Sequence, residues 1–178
     1  MEKIIPFAHK LLEEVVTRND ITVDLTAGKG NDTLFLARIS KYVFCFDIQE
    51  KAIEYSKELT KDYNNIKFIC DNHENLLKYV NTKIKGAIFN LGYLPGENKD
   101  ITTKAESTLN AIKSVLAILD HGGRCVIVVY PGHKEGYKEA LALDDYLSKL
   151  PQQQFEVIKY KFINQINNPP YILAIERI

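Results

Sequence analysis

The run Val23-Asp24-Leu25-Thr26-Ala27-Gly28-Lys29-Gly30-Asn31-Asp32-Thr33 follows a short apolar strand pattern and opens a helix pattern, which restricts the folds open to this chain. A glycine loop between strand and helix lets the backbone approach a ligand without an intervening Cβ and permits positive φ. The helix that follows offers free N–H groups at its start. The chain alternates between strand-like and helix-like patterning on both sides of this loop. Apolar spacing predicts helices over residues 4–17, 32–39, 50–59, 103–119 and 136–150, with a helical turn over 76–80. The 103–119 helix is expected to close on His121-Gly122-Gly123 as a glycine stop. Strands are expected over 21–25, 42–47, 66–70, 86–90 and 124–130, the last being the most apolar.

The final pair of strands, over 155–163 and 171–177, has no helix between its members and should pair antiparallel. Five strands with helical crossovers and a terminal hairpin imply an α/β chain. A Rossmann-like sheet of seven strands, mostly parallel, with a C-terminal antiparallel hairpin and helices on both faces, is similar to the arrangement of class I methyltransferases, and by that resemblance is the expected architecture. A single domain over residues 1–178 accommodates it.

Composition narrows the function classes. The 46% hydrophobic content is globular, and no apolar run reaches the roughly 20 residues of a membrane helix. The opening Met1-Glu2-Lys3-Ile4-Ile5-Pro6 lacks the pattern of a signal peptide. Cys45, Cys70 and Cys125 are odd in number, lack CxxC pairing and sit in apolar segments, so they are expected to be buried free thiols in a cytoplasmic protein. No metal site is expected. The 23 basic and 23 acidic residues balance, so composition gives no support for non-specific nucleic-acid binding.

The acids around the loop select its ligand. Asp47, 17 residues beyond Gly30 in Phe46-Asp47-Ile48-Gln49, stands near the position of the ribose-binding acid of nucleoside-binding sheets. A nicotinamide dinucleotide would want a third glycine where Thr33 stands, and its pyrophosphate would not welcome Asp32. Asp24 and Asp32 instead suit a cationic ligand without phosphate, and S-adenosylmethionine is such a ligand, its methionyl ammonium expected to meet Asp24. The turn after the third strand should meet adenine, with Asp71 or His73 receiving the exocyclic amine. The fourth strand ends in Asn90-Leu91-Gly92-Tyr93-Leu94-Pro95-Gly96, at the rim where open α/β sheets bind ligands. Asparagine followed by an aromatic and a proline resembles the (Asp/Asn)-Pro-Pro-(Tyr/Phe) motif of N-methyltransferases, whose oxygens accept substrate N–H groups while the aromatic stacks. Asn168-Pro169-Pro170-Tyr171 matches that motif by letter but precedes the last strand, and reads as a hairpin loop whose prolines end pairing; whether it also lines the substrate mouth is open at the level of sequence. Tyr130-Pro131-Gly132-His133 leaves the fifth strand at the same rim; His133 either serves the substrate or caps the next helix. His9 and His121 read as structural or exposed.

Phe46-Asp47-Ile48-Gln49, Phe89-Asn90-Leu91-Gly92-Tyr93-Leu94-Pro95 and Tyr130-Pro131-Gly132-His133, in this order and spacing, resemble the bacterial family labelled "putative rRNA methylase". The resemblance covers nearly the whole chain. It implies a tRNA methyltransferase that methylates the amine of 5-aminomethyl-2-thiouridine at the wobble position, and so a tRNA anticodon region as partner. RNA recognition would come from rim loops or from the second subunit of a homodimer, for which no residue pattern argues. It also implies that Gly28, Gly30, Asp47, Gln49 and the Asp71–His73 turn serve the cofactor, while Asn90 to Pro95 and Tyr130 to His133 face the target. Thr26 replaces the first glycine of the family's familiar loop.

The expected S-adenosylmethionine set is Asp24, Thr26, Gly28, Gly30, Asn31, Asp32, Thr33, Asp47, Ile48, Gln49, Asp71, His73, Asn90 and Gly92. The expected catalytic set is Asn90, Tyr93, Asp32, Tyr130 and His133, with Asp32, Tyr130 or His133 as proton acceptor. Lys99, Lys104, Lys134 and Lys138 are candidate RNA contacts. Rival readings are an rRNA or small-molecule methyltransferase, a nicotinamide-dependent oxidoreductase, and a non-catalytic module that binds S-adenosylmethionine.

Overall fold

The computed structural model describes residues 1–92 and 105–178. The elements run α1 (Ile4–Glu13), β1 (Ile21–Asp24), α2 (Asn31–Ile39), β2 (Tyr42–Asp47), α3 (Glu50–Leu59), β3 (Ile66–Cys70), a 3₁₀ turn (His73–Asn75), α4 (Leu76–Tyr79) and β4 (Ile84–Asn90). They continue with α5 (Ala105–Ile118), β5 (Leu119–Val129), α6 (Lys134–Leu147), β6 (Phe155–Tyr160) and β7 (Tyr171–Arg177). One seven-stranded sheet has the order β3-β2-β1-β4-β5-β7-β6. Its first five strands are mutually parallel, and β7 lies antiparallel to both β5 and β6. This is the class I methyltransferase sheet expected from the sequence.

Strand parity divides the core into two layers. Val23, Phe89, Ile127 and Val129 face Ala111, Ile112 and Val115 of α5 and Ala140 and Leu143 of α6. Val43, Ile88, Val126 and Val128 face Ala8 and Leu12 of α1 and Leu36 and Ala37 of α2. Consecutive residues of β5 from Cys125 to Val129 are thus wholly buried, because helices cover both faces of the central strands. β1 pairs with both β2 and β4, so the chain winds outward to β3 and then returns to the other side of β1. That reversal opens a crevice beyond the C-terminal ends of β1 and β4, the usual place for a ligand in a sheet of this kind.

Several boundaries differ from the sequence expectation. α1 stops at Glu13 because Asp20 captures the backbone N–H and hydroxyl of Thr17, an alternative to continued helix. The described part of α5 ends at Ile118, and His121-Gly122-Gly123 is not a helix stop. Leu119 pairs at once with Ile84, and pairing resumes at Gly86 with Arg124, so Asp120–Gly123 form a bulge in β5. Gly123 is required there, since a Cβ would stand 2.9 Å from the carbonyl oxygens of Asp120 and Lys85. α6 begins two residues earlier than expected and ends at Leu147, and β6 ends at Tyr160. Cys45 and Cys125 are buried, but Cys70 is exposed, since it ends the edge strand β3. The expected start of the long helix at Thr103 and the segment Tyr93 to Gly96 lie outside the described residues. Among the described residues no helix is long and apolar enough to cross a membrane.

Candidate active site

A cavity of about 1220 Å³ occupies the crevice at the C-terminal ends of the strands. Typical small-ligand pockets measure roughly 300–1,000 Å³, so there is room here for a donor and an acceptor together. Its walls come from the ends of β1 (Leu25–Lys29), β2 (Asp47–Gln49), β3 (Asp71–Glu74), β4 (Asn90–Gly92) and β5 (Tyr130, Gly132, His133), with the β6–β7 loop (Asn167–Pro170) closing one side.

The glycine loop is held from beneath by Asp24. Asp24 is fully buried; its carboxylate accepts from the Thr26 N–H at 3.0 Å and the Thr33 hydroxyl at 2.5 Å. Burial, reinforced by the nearby Asp32 carboxylate, pushes its pKa up to about 7. Asp24 and Thr33 therefore build the loop and do not line the cavity, which corrects the expectation that Asp24 meets a ligand ammonium. Gly30 is also absent from the wall. It has φ +87° and caps α2, and a Cβ on it would stand 2.8 Å from the Ser56 Cα of α3. Its missing side chain serves helix packing. Gly28, at φ +52°, does line the cavity, and its N–H donates to Asp47 Oδ2 at 3.0 Å.

Asp47 ends β2 with Oδ1 accepting from the Gln49 N–H at 2.9 Å. One main-chain donor on each oxygen fixes the carboxylate in place and leaves lone pairs for two further hydroxyl donors. Ile48 beside it is 63% exposed, an apolar side chain presented to the cavity. Asp71 is anchored by the Asn72 N–H, Asn75 Nδ2 and the Tyr79 hydroxyl, and these hydrogen bonds hold its carboxyl below the ordinary range. His73 lines the cavity, but Nδ1 is bonded to the Leu25 carbonyl at 3.0 Å and Nε2 is sealed from solvent. Burial lowers its pKa. Of the two candidates for an exocyclic amine, only Asp71 thus offers an accessible acceptor.

The acceptor side centres on Asn90. Its backbone N–H donates to Thr26 Oγ1 at 2.7 Å, so the threonine that replaces a glycine ties the cofactor loop to the end of β4. The Asn90 side-chain Nδ2 donates to Asp32 Oδ2 at 2.9 Å. Asp32, buried in the first turn of α2, takes His9 Nε2 on its other oxygen at 2.6 Å. His9 was not among the sequence candidates: it lies 23 residues from Asp32, and only the fold brings them together. Tyr130 is half-buried on the cavity wall, and burial together with Asp32 raises its pKa. His133 also lines the cavity but caps α6, its Nδ1 accepting from the Gly136 N–H at 3.1 Å. That nitrogen is therefore not available to take a substrate proton. Of the look-alike motif, Asn168, Pro169 and Pro170 line the mouth, whereas Tyr171 is buried at the start of β7 and bonded to Asp144. Lys138 is paired with Glu135 at 3.0 Å, and Tyr93, Lys99 and Lys104 lie outside the described residues.

Comparison with known proteins decides the family. The family model described as "Putative rRNA methylase" matches residues 43–176. The chain belongs to this family. A chloroplastic tRNA (mnm(5)s(2)U34)-methyltransferase of Arabidopsis thaliana is 32% identical over 99% of this chain and 70% of its own length. A "putative methyltransferase" from Streptococcus mutans, solved in complex with S-adenosylhomocysteine, is 40% identical with a TM-score of 0.95, over 100% of this chain and 99% of its own. A "putative rRNA-methylase" from Clostridium thermocellum is 36% identical with a TM-score of 0.97, over 100% and 99%. This rRNA methylase family member is an S-adenosylmethionine-dependent methyltransferase. The wall fits that cofactor: a carboxylate with free lone pairs at Asp47, an apolar surface at Ile48 and an anchored acid at Asp71 match ribose, an adenine face and an exocyclic amine.

Proposed function

We propose that this protein methylates the amine of 5-aminomethyl-2-thiouridine at the wobble position of tRNA, acting as one methyltransferase domain over residues 1–178. The observation that carries the reading is the Asn90 amide at the cavity wall. A carboxylate oxygen only accepts, so the amide meets Asp32 with its NH₂ and keeps its carbonyl oxygen for a substrate N–H. The name of the Arabidopsis relative, at 32% identity across the chain, supports tRNA and that nucleotide.

S-adenosylmethionine supplies an electrophilic methyl group on a sulfonium. The protein's tasks are alignment and management of the amine's charge. An alkylamine with a pKa near 10 is only about one part in a thousand neutral at pH 7, and only the neutral form has a lone pair to donate. The partly desolvated rim favours the neutral form, and Asn90 Oδ1 accepts one of its N–H groups. As the N–C bond forms, the bond from the methyl carbon to sulfur breaks and its electron pair leaves with a neutral thioether; positive charge builds on the amine nitrogen, and the Asp32 carboxylate on the cavity wall would stabilise it. The resulting methylammonium then loses its proton to solvent. Asp47, Ile48, Gln49, Gly28, Asn31 and Asp71 are the residues we assign to the cofactor, and Tyr130 and the Asn167–Pro170 loop to the nucleoside. The reading places the enzyme in the cytoplasm with the anticodon region as its partner, and a homodimer would extend the RNA surface.

The test is incubation with labelled S-adenosylmethionine and, separately, bulk tRNA lacking this modification and rRNA, followed by nucleoside mass spectrometry. Label is expected in 5-methylaminomethyl-2-thiouridine. Label confined to rRNA, or absent from wobble uridine, would reject the substrate.

A further inference from the structure

The contact between His9 and Asp32 joins a residue outside the cavity wall to one that lines it, and His9 has no part in the function as derived above. His9 comes from α1 and is not a wall residue, yet its Nε2 reaches Asp32 Oδ1 at 2.6 Å. Its ring stacks on Phe35 of α2, with centroids 4.0 Å apart and planes inclined by 2°. Phe35 and Asp32 are one helical turn apart, so a single face of α2 holds the imidazole plane and receives its N–H. Asp32 is 5% exposed, and its second oxygen is the one that takes Asn90 Nδ2. The three side chains form one line, from α1 through α2 to the end of β4.

We infer that His9 is a positioning residue for the acceptor amine: by committing Asp32 as a hydrogen-bond acceptor, it fixes which end of the Asn90 amide faces the cavity. The two ends of that amide have opposite effects on the chemistry. With the oxygen toward the amine, Asn90 takes an N–H and leaves the nitrogen lone pair free for the methyl group. With the NH₂ toward the amine, Asn90 would donate to that lone pair and compete with transfer. An Asp32 side chain lacking the His9 donor is free to rotate away from Asn90, and the amide, no longer held by its NH₂, is then free to turn round. A short charge-assisted bond from a ring held by stacking prevents this. The inference rests on the amine-methyltransferase reading for its consequence, but the amide orientation is a property of the protein alone.

The two parts are separable by experiment. His9→Phe keeps a ring on Phe35 and removes the donor, whereas His9→Gln returns a side-chain N–H near the position of Nε2. With S-adenosylmethionine bound and no RNA present, hydrogen exchange of the Asn90 side-chain amide, followed by NMR, should be faster in His9→Phe than in wild type and slow again in His9→Gln. In the methylation assay kcat should fall about tenfold or more in His9→Phe, the size of one lost hydrogen bond to a charged group, and recover in His9→Gln, with cofactor affinity unchanged. Unchanged Asn90 exchange in His9→Phe would overturn the inference. So would wild-type kcat in His9→Phe alongside an impaired His9→Ala, which would make the residue a packing element only. Wild-type enzyme that shows the exchange pattern but leaves tRNA unmethylated would refute the substrate reading and leave the positioning role standing.

Discussion

A methyl group at position 30 has no space to occupy. Gly30 has φ +87°, and an added Cβ would lie 2.8 Å from the Cα, 2.9 Å from the Oγ and 3.2 Å from the Cβ of Ser56. The left-handed backbone costs an L-residue about 1–2 kcal/mol. Overpacking adds about 1–3 kcal/mol, and because the nearest atom is helix backbone, α2 has to move away from α3. Gly30→Ala should therefore cost roughly 2–5 kcal/mol of stability, read as a fall of about 1 M or more in the urea midpoint. Adding Ser56→Ala removes the Oγ contact but leaves the Cα in place, so the double variant should recover only part of the loss. Calorimetry on the folded variant should show a smaller loss of S-adenosylmethionine binding free energy than of folding free energy. An unchanged midpoint with weakened cofactor binding would refute the reasoning and place Gly30 against the ligand.

Two further perturbations probe the acids. Asp47→Ala removes acceptors for two hydroxyls, each hydrogen bond to a carboxylate being worth about 1.5–3 kcal/mol, so calorimetry should show the Kd for S-adenosylmethionine rising by about 100-fold or more. An unaltered Kd would remove Asp47 from the cofactor site. Asp24 carries a pKa pushed up to about 7 in the folded protein, against an ordinary carboxylate near 4 when unfolded. Between those values the folded state holds a proton that the unfolded state has lost, so this group's contribution to stability is full below about pH 4 and is lost as pH rises to 7 and beyond, a change of roughly 4 kcal/mol. Urea melts at pH 5 and pH 8 should differ less for Asp24→Asn than for wild type; equal differences would contradict the assignment.

The sheet was legible because its signals are local. Alternation of apolar period, the continuous run in β5 and the absence of a helix between the last two strands all lie within short windows. The bulge at Asp120–Gly123 was not, because a glycine pair reads equally as a helix stop, and only Leu119 pairing with Ile84 distinguishes the two. At the site, residues at strand ends, Asp47, Asp71, Asn90 and Tyr130, were placed on the cavity wall by position alone. Orientation was not legible. Asp24, Gly30 and Thr33 belong to the same loop as the wall residues but point into protein, and the alternation of a loop has no period from which to read this. The roles of Thr26 and His9 depend on partners 64 and 23 residues away in sequence. A threonine in place of a loop glycine was the one local hint of the first, and the sequence carries none for the second.

Asn90→Ala tests most directly the claim that donor and acceptor amine meet at the end of β4. The backbone bond from Asn90 to Thr26 Oγ1 survives this substitution, so the cofactor loop keeps its anchor. Loss of one preorganised group that acts on the transition state costs about 2.7–4 kcal/mol, so kcat should fall about 100- to 1,000-fold while the Kd for S-adenosylmethionine stays near the wild-type value. Equal loss of turnover and cofactor affinity, or full turnover, would contradict the account.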